Sequence, residues 1–349
     1  MSAPMRVALR YDRSPAIGLG HARRAAALDA ALAAHGVEVV HAVSRAARAE
    51  IVAEGVAPER TVDVNGAGAA SLVESGEATH VVFDLLWSGN AAAAVREVAE
   101  VRRRGGATVV IDSMAPDHYP SVAAGAVPDL LVAPYLGARR AGNVGRERLC
   151  GARYAILGAE FARSRPRPAA RVPRRVLLSC GGSDVDGLAP AAARAAAAGG
   201  ALVDVAIGPL FGAHAIEALE IESARDPRIR LHRAPRSLVG LIARADLVAG
   251  RPGLLRYEAA ALKRPGVYLA RGTAYRDYFE GFAAAGLATI HFESDPDGRA
   301  TFLDELSTIG HRLPAACPTA MGSARVDAGG AERVAAAILA TRVQKSPCR

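Results

Sequence analysis

The sequence predicts an α/β chain built as two Rossmann-like domains, each a parallel sheet wrapped by helices. Three observations carry this reading. The 349 residues exceed what one compact core commonly holds, so two domains are expected. Short, continuous apolar runs alternate with Ala/Leu-rich helical stretches, the pattern of strands buried on both faces between crossover helices. That alternation stops at "RSRPRPAARVPRR" (163–175) and then begins again. Proline fixes φ and removes a backbone donor, so this segment resists helix and sheet and reads as an interdomain linker.

In the first half the predicted strands are "RVALR" (6–10), "VEVVHA" (37–42), "THVVFD" (79–84), "ATVVID" (107–112) and "DLLVA" (129–133). Helices are expected at 20–34, 44–54 and 90–104. The second half repeats the pattern with "RRVLLSC" (174–180), "LVDVAIG" (202–208), "IRLHR" (229–233), "DLVAG" (246–250) and "GVYLA" (266–270). Its helices are expected at 187–198, 237–244, 254–263 and 276–285. A helix at 330–342 precedes a frayed tail and has the option of packing back onto the first domain. The expected division is 1–165, 166–335 and a terminal piece, 336–349.

Composition narrows the function classes. The net charge of +8 suits an anionic ligand such as a phosphorylated metabolite, and equally suits simple arginine bias. With 5% aromatic residues and no basic patch interleaved with them, a nucleic-acid partner is not expected. No apolar run approaches the roughly 18 residues of a membrane span, and the first residues lack a signal-type h-region. Cys150, Cys180, Cys317 and Cys348 show neither CxxC spacing nor a dense framework, as in a reduced, cytoplasmic protein. No His/Cys/Asp cluster has metal-ligand spacing and no G-x-S-x-G elbow occurs, so neither a metal nor a cofactor is expected.

Three stretches carry candidate chemistry. In "AIGLGHARRAAALDAALAAHG" (16–36), Gly18-x-Gly20-x-x-Arg23 fails the dinucleotide fingerprint, because arginine stands at the third glycine position. What remains is a glycine-flexible loop that delivers His21 to the first turn of a helix. The positive end of a helix favours the uncharged imidazole, the form a general base needs. Arg24, three residues on, shares that face, so a base and an anion-binding cation point the same way. The alternative is a surface histidine at a helix start, and spacing alone does not choose between them. The second stretch is "LLSCGGSDVDG" (177–187). Here Gly181 and Gly182 let the backbone approach a ligand, and the N–H groups of Gly182 and Ser183 suit a phosphate. Asp184 is either a ligand contact or a helix cap. The third, "ADLVAGRPGLLRYEAAALKRP" (245–265), runs a strand into Gly250 and Gly253 and then a helix carrying Glu258, placed for ribose hydroxyls or simply exposed. Arg10, Asp12, Asp84 and Asp112 end strands in the first half, where open α/β sheets line their ligand crevice.

Together these blocks resemble the nucleotide-sugar hydrolases of pseudaminic acid biosynthesis, relatives of spore-coat polysaccharide proteins and of MurG-like GT-B glycosyltransferases. "RYDRSPAIGLGHARR" is similar to the family's opening R-x-D-x-S-x-x-I-G-x-G-H-x-x-R, matching at Arg10, Asp12, Ser14, Ile17, Gly18, Gly20, His21 and Arg24. "GARYAILGAEFAR" (151–163), "LLSCGGSD" and the segment ending at Glu258 resemble its later blocks, in the same order. The resemblance implies a GT-B fold, two Rossmann-like domains with parallel sheets facing a central cleft. It also implies metal-independent hydrolysis at the anomeric carbon of a UDP-linked sugar. His21 would activate water, Gly181–Ser183 would meet the diphosphate, and Glu258 would bind ribose.

The chain departs from the family after "GVYLA", where an Asn-Gln pair gives way to "RGTAYRDYFEG" (271–281). Tyr275 and Arg276 stand there as candidate ligand contacts. The expectation is therefore an enzyme cleaving a nucleotide-sugar with water, its partner that substrate, with no nucleic acid and no membrane span. Transfer of the sugar to an acceptor is the first alternative, and silent binding of a nucleotide-sugar is the second.

Overall fold

The computed structural model describes residues 4–12, 18–53, 55–64, 68–87, 91–114, 118–120, 124–138, 145–166, 174–311 and 326–343. The chain divides into two compact units. One runs through Ala159 and takes up the chain again from Gly329; the other spans Glu160–Ala328.

In the first unit β1 (Arg6–Tyr11), α1 (Gly20–Ala34), β2 (Glu38–Val43), α2 (Arg45–Ala53), β3 (Thr61–Asp63), α3 (Ala70–Glu74) and β4 (His80–Asp84) come first. They are followed by α4 (Ala91–Arg103), β5 (Ala107–Ile111), β6 (Leu130–Ala133) and β7 (Glu147–Cys150). The strands form a parallel sheet in the order β3-β2-β1-β4-β5-β6-β7. β4, β5 and β6 are buried at every position, as Val/Ile/Leu runs covered on both faces must be. On α1 the buried residues His21, Ala25, Leu28 and Leu32 recur at intervals of four, three and four, one stripe facing the sheet.

Short α5 (Ala159–Arg163) stands where one unit ends in sequence and the next begins. The second unit then runs β8 (Arg175–Ser179), α6 (Leu188–Ala198), β9 (Leu202–Ile207), α7 (Ala213–Arg225), β10 (Ile229–Arg233), α8 (Val239–Arg244) and β11 (Leu247–Gly250). It closes with α9 (Leu255–Ala261), β12 (Gly266–Ala270), α10 (Arg276–Ala284), β13 (Thr289–Phe292) and α11 (Gly298–Thr308). Its parallel sheet has the order β10-β9-β8-β11-β12-β13, the doubly wound order already seen in the first unit. The buried alanines of α6, Ala192, Ala193, Ala196 and Ala197, pack with Val176, Val203 and Phe302 in one core.

The last helix, α12 (Gly330–Ala340), belongs to the first unit. Its Val334, Ala335 and Ile338 join Leu28 and Leu32 of α1 in a single apolar cluster. The helix start sits so close to the chain at Ala155 that a Cβ on Gly330 would lie 2.0 Å from the Ala155 carbonyl oxygen. This corrects the division expected at 335: the second unit stops at Ala328, because the apolar stripe of α12 finds its partner on α1. The Pro/Arg-rich linker falls largely outside the described residues, as do Ser14 and Ile17.

The sequence reading also passed over β3, β7, β13, α3, α5, α7 and α11. Only Leu219 and Glu222 of α7 are buried, and α11 buries Gly298, Phe302 and Leu306, so both carry thin apolar stripes. Among the described residues no helix is long and apolar enough to cross a membrane.

Candidate functional site

A doubly wound sheet opens a crevice at the carboxyl ends of its strands, at the point where the winding direction reverses. In the first unit that point lies between β1 and β4, whose ends pair at Tyr11 and Asp84. The helix after β1 brings His21 there, and β4 ends on Asp84. Nδ1 of His21 lies 2.8 Å from Oδ1 of Asp84 and 2.8 Å from the Asp84 carbonyl oxygen. Arg24 Nη2 also lies 3.2 Å from Nδ1, but it is a donor and makes its shorter contact, 2.8 Å, to Oδ1 of Asp84. The two Asp84 oxygens are acceptors, so Nδ1 carries the proton and donates to them. The lone pair is thereby left on Nε2, which has no hydrogen-bond partner among the described residues. His21 is 7% exposed, so it is not the surface histidine of the alternative reading.

Arg24 is joined to this pair. Its Nε donates to Oδ2 of Asp84 at 2.8 Å and its Nη2 to Oδ1 at 2.8 Å, a two-pronged grip. Burial disfavours the charge on Asp84, yet Arg24 and His21 hold the carboxyl well below the usual carboxylate range. An ionised Asp84 therefore fixes the tautomer and orientation of the imidazole, and Arg24 fixes Asp84.

The other first-half candidates stand apart from this trio. Arg10 pairs with Asp12 at 3.2 Å and with Glu97 of α4 at 3.4 Å. No hydrogen bond among the described residues joins Asp12 to His21. Asp112, just past β5, uses Oδ1 to accept from the N–H groups of Ser113 at 2.9 Å and Tyr119 at 2.6 Å. Its Oδ2 is buried without a hydrogen-bond partner among the described residues, and burial outweighs those two bonds to push the carboxyl up to about 6. Gly18 holds φ +78, which glycine adopts at no steric cost, whereas a Cβ on Gly20 would meet only the end of Arg24, at 3.5 Å.

In the second unit the reversal lies between β8 and β11. The turn after β8 contains Gly181 at φ +86, with open space where a Cβ would stand. The Gly182 carbonyl accepts from the Leu210 N–H at 2.9 Å, and a Cβ on Gly208 would lie 2.3 Å from that same oxygen. The loop after β9 thus presses on the back of the glycine turn. Asp184 proves to be a cap: Oδ1 accepts from the Leu188 N–H at 3.0 Å and Oδ2 from the Ala189 N–H at 2.8 Å. The Leu188 and Ala189 amide groups that open α6 are occupied by Asp184.

Glu258 lies in the first turn of α9 and is 4% exposed, against the exposed helical glutamate of the alternative reading. Near it Arg256, also buried, stacks over Tyr257 at 4.4 Å and Phe279 at 5.0 Å. Gly253, on the loop before α9, again has open space at its Cβ position. Tyr275 precedes α10 and packs edge-on against Phe279. Arg276 pairs with Asp295 and Glu280 and covers Phe292 at 4.0 Å, so protein carboxylates already balance its charge.

Sequence reading missed Asp186, Arg251 and Arg271, which meet at the carboxyl edge of this sheet. Arg251 Nη2 lies 3.0 Å from Oδ2 of Asp186 and 2.8 Å from Oε1 of Glu293, while Arg271 contacts the same Asp186 oxygen. The available signal was an arginine directly after each of two predicted strands, 246–250 and 266–270. Among the described residues no group of three or more His, Cys, Asp or Glu is arranged to hold a metal.

Two doubly wound parallel units in one chain define the GT-B class of fold, and solved structures of that class match along nearly the whole chain. The chain is similar to the S. aureus MnaA–UDP co-structure, at 11% identity and TM-score 0.60, covering 98% of this chain and 99% of that one. It is similar to MurG of Acinetobacter baumannii at 14% identity and TM-score 0.58, covering 97% and 100%. It also matches UDP-GlcNAc 2-epimerase from Neisseria meningitidis bound to UDP-GlcNAc, at 11% identity and TM-score 0.53, covering 97% and 100%. No protein-family model and no curated protein sequence matches the chain.

Proposed function

We propose that the chain is a nucleotide-sugar hydrolase that breaks the anomeric C–O bond of a UDP-linked sugar with water, as in the hydrolase family its motifs resemble. The observation that carries the proposal is the His21–Asp84 pair, in which the carboxylate accepts a hydrogen bond from Nδ1–H and leaves Nε2 as the base. Nε2 removes a proton from water as the water oxygen bonds to the anomeric carbon. The bond from that carbon to the diphosphate oxygen breaks, and its electron pair leaves on the phosphate. Asp84 stabilises the imidazolium that forms, as a buried carboxylate does beside a catalytic histidine. The second unit holds the nucleoside diphosphate, with Gly182 and Ser183 at the phosphates and Glu258 at the ribose. Two of the similar structures carry UDP and UDP-GlcNAc, which supports the choice of nucleotide.

The test is a panel of UDP-, GDP- and CMP-sugars, incubated with and without cell-extract acceptors while nucleotide release is followed. Release without acceptor supports hydrolysis. Release only with acceptor assigns a glycosyltransferase instead, and binding without turnover assigns a silent binding protein. A His21→Ala variant is expected to lose turnover while still binding the nucleotide; full turnover in that variant overturns the assigned base.

A further inference from the structure

We infer that Arg251 and Arg271 form the seat for the substrate's diphosphate, and that the carboxylate of Asp186 is an internal anion competing for this seat. The inference rests on the nucleotide-sugar reading above. Helix N-terminal amides are the usual backbone donors to a diphosphate, and here Asp184 already occupies the first amides of α6. At this edge of the sheet two guanidiniums converge on one oxygen, Oδ2 of Asp186, and supply the positive charge a diphosphate seeks.

An oxygen shared by two guanidiniums is the arrangement that phosphate oxygens adopt between arginines. Arg251 is built into place: 9% exposed, it donates from Nη1 to the Leu269 carbonyl at 3.0 Å and from Nη2 to Glu293. Its Nε is buried with no hydrogen-bond partner among the described residues. Arg271 follows β12 with about half of its side chain exposed, free to follow an incoming anion. Asp186 belongs to the glycine turn itself, two residues past Asp184, and its side chain is one-third exposed. The charges of both arginines reach Cys180 at the head of that turn, where they oppose the upward push of burial and Asp184 on the thiol. When the diphosphate arrives it displaces the weaker anion, and Asp186 swings toward solvent with Glu293 still paired to Arg251.

The seat predicts opposite effects from its two kinds of residue. Calorimetric titration of the full chain with UDP, uridine and inorganic pyrophosphate separates them. Arg271→Ala is expected to weaken UDP about 10-fold and leave uridine unchanged, the worth of one charge-assisted contact. Asp186→Ala and Asp186→Asn are expected to tighten UDP roughly 3- to 10-fold by removing the internal competitor. Pyrophosphate is expected to compete with UDP in the wild type. If UDP binds but all three variants match the wild type, the arginine–aspartate cluster is structural and this inference falls, while the nucleotide reading stands. If UDP binds neither wild type nor variants, both fall together.

Discussion

Asp84 and Asp112 follow adjacent strands of the first unit, and their surroundings drive them in opposite directions. Arg24 and His21 keep Asp84 ionised despite its burial, so its folded-state pKa lies below the unfolded value. The stability this confers is fully present above the ordinary carboxylate range of about 4 and is lost as the pH falls below it. Asp84→Asn strips the buried Arg24 of its partner and is expected to cost about 3 kcal/mol at neutral pH. Denaturant unfolding of variant and wild type should converge as the pH is lowered. The same variant no longer fixes the imidazole tautomer, so turnover should fall roughly 1000-fold with little change in nucleotide affinity. Asp112 behaves in the reverse sense, because burial raises its pKa in the folded protein to about 6. Between about 4 and 6 the folded state binds the extra proton, so stability declines as the pH rises through that window and the penalty is complete above it. Asp112→Asn keeps an acceptor for Ser113 and Tyr119 and never ionises. It should stabilise the protein by about 2 kcal/mol at pH 8 and have almost no effect at pH 4, as read by unfolding at the two pH values.

The glycine turn after β8 depends on the loop after β9 as much as on its own residues. A Cβ at Gly208 would meet the carbonyl oxygens of Gly182 and Gly181 at 2.3 and 2.5 Å, so Gly208→Ala must push that turn out of place. The expected result is weaker UDP binding together with a lowered melting temperature, measured by titration and calorimetry. Unchanged affinity would detach the turn from the nucleotide site. Dependence of this kind marks the limit of what was legible in the chain. The strands were readable because a fully buried parallel strand has an unbroken apolar centre, as "VVF" in "HVVFD" and all of "GVYLA" do. His21 and Glu258 stood out as candidates because ionisable residues occur where a strand gives way to a helix, but their burial was not legible there. The partner of Arg24 was not readable: helical spacing places Arg24 beside His21, but Asp84 is sixty residues away and only the pairing of β1 with β4 brings it near. Asp186 was hidden for the same reason, since its partners follow two other strands. The helices passed over, α7 and α11, bury too few apolar residues to stand out by periodicity.

The chain crosses from the first unit to the second and returns, and this path decides which piece stands alone. The second unit is continuous in sequence, from Glu160 to Ala328, and its core of β8, β9, β11, β12, α6 and α11 lies wholly within that span. The first unit is not continuous. Leu28 and Leu32 of α1 are covered by Val334, Ala335 and Ile338, which are made after the entire second unit. His80 reaches the same distant segment, with Nε2 2.9 Å from the Thr341 carbonyl oxygen. A fragment of residues 1–159 would therefore expose an apolar stripe along α1 and lose the partner of a buried histidine. At about 25 cal/mol per Å² of apolar surface, uncovering a few such side chains removes several kcal/mol, a large share of an ordinary domain's stability. The expected outcome is that residues 160–328 fold cooperatively when expressed alone and bind UDP within about 10-fold of the full chain. Residues 1–159 should aggregate or bind hydrophobic dyes, and joining 329–343 to them through a flexible linker should restore a cooperative melt. Cooperative unfolding of 1–159 without that helix would show that α12 merely rests on a core already complete.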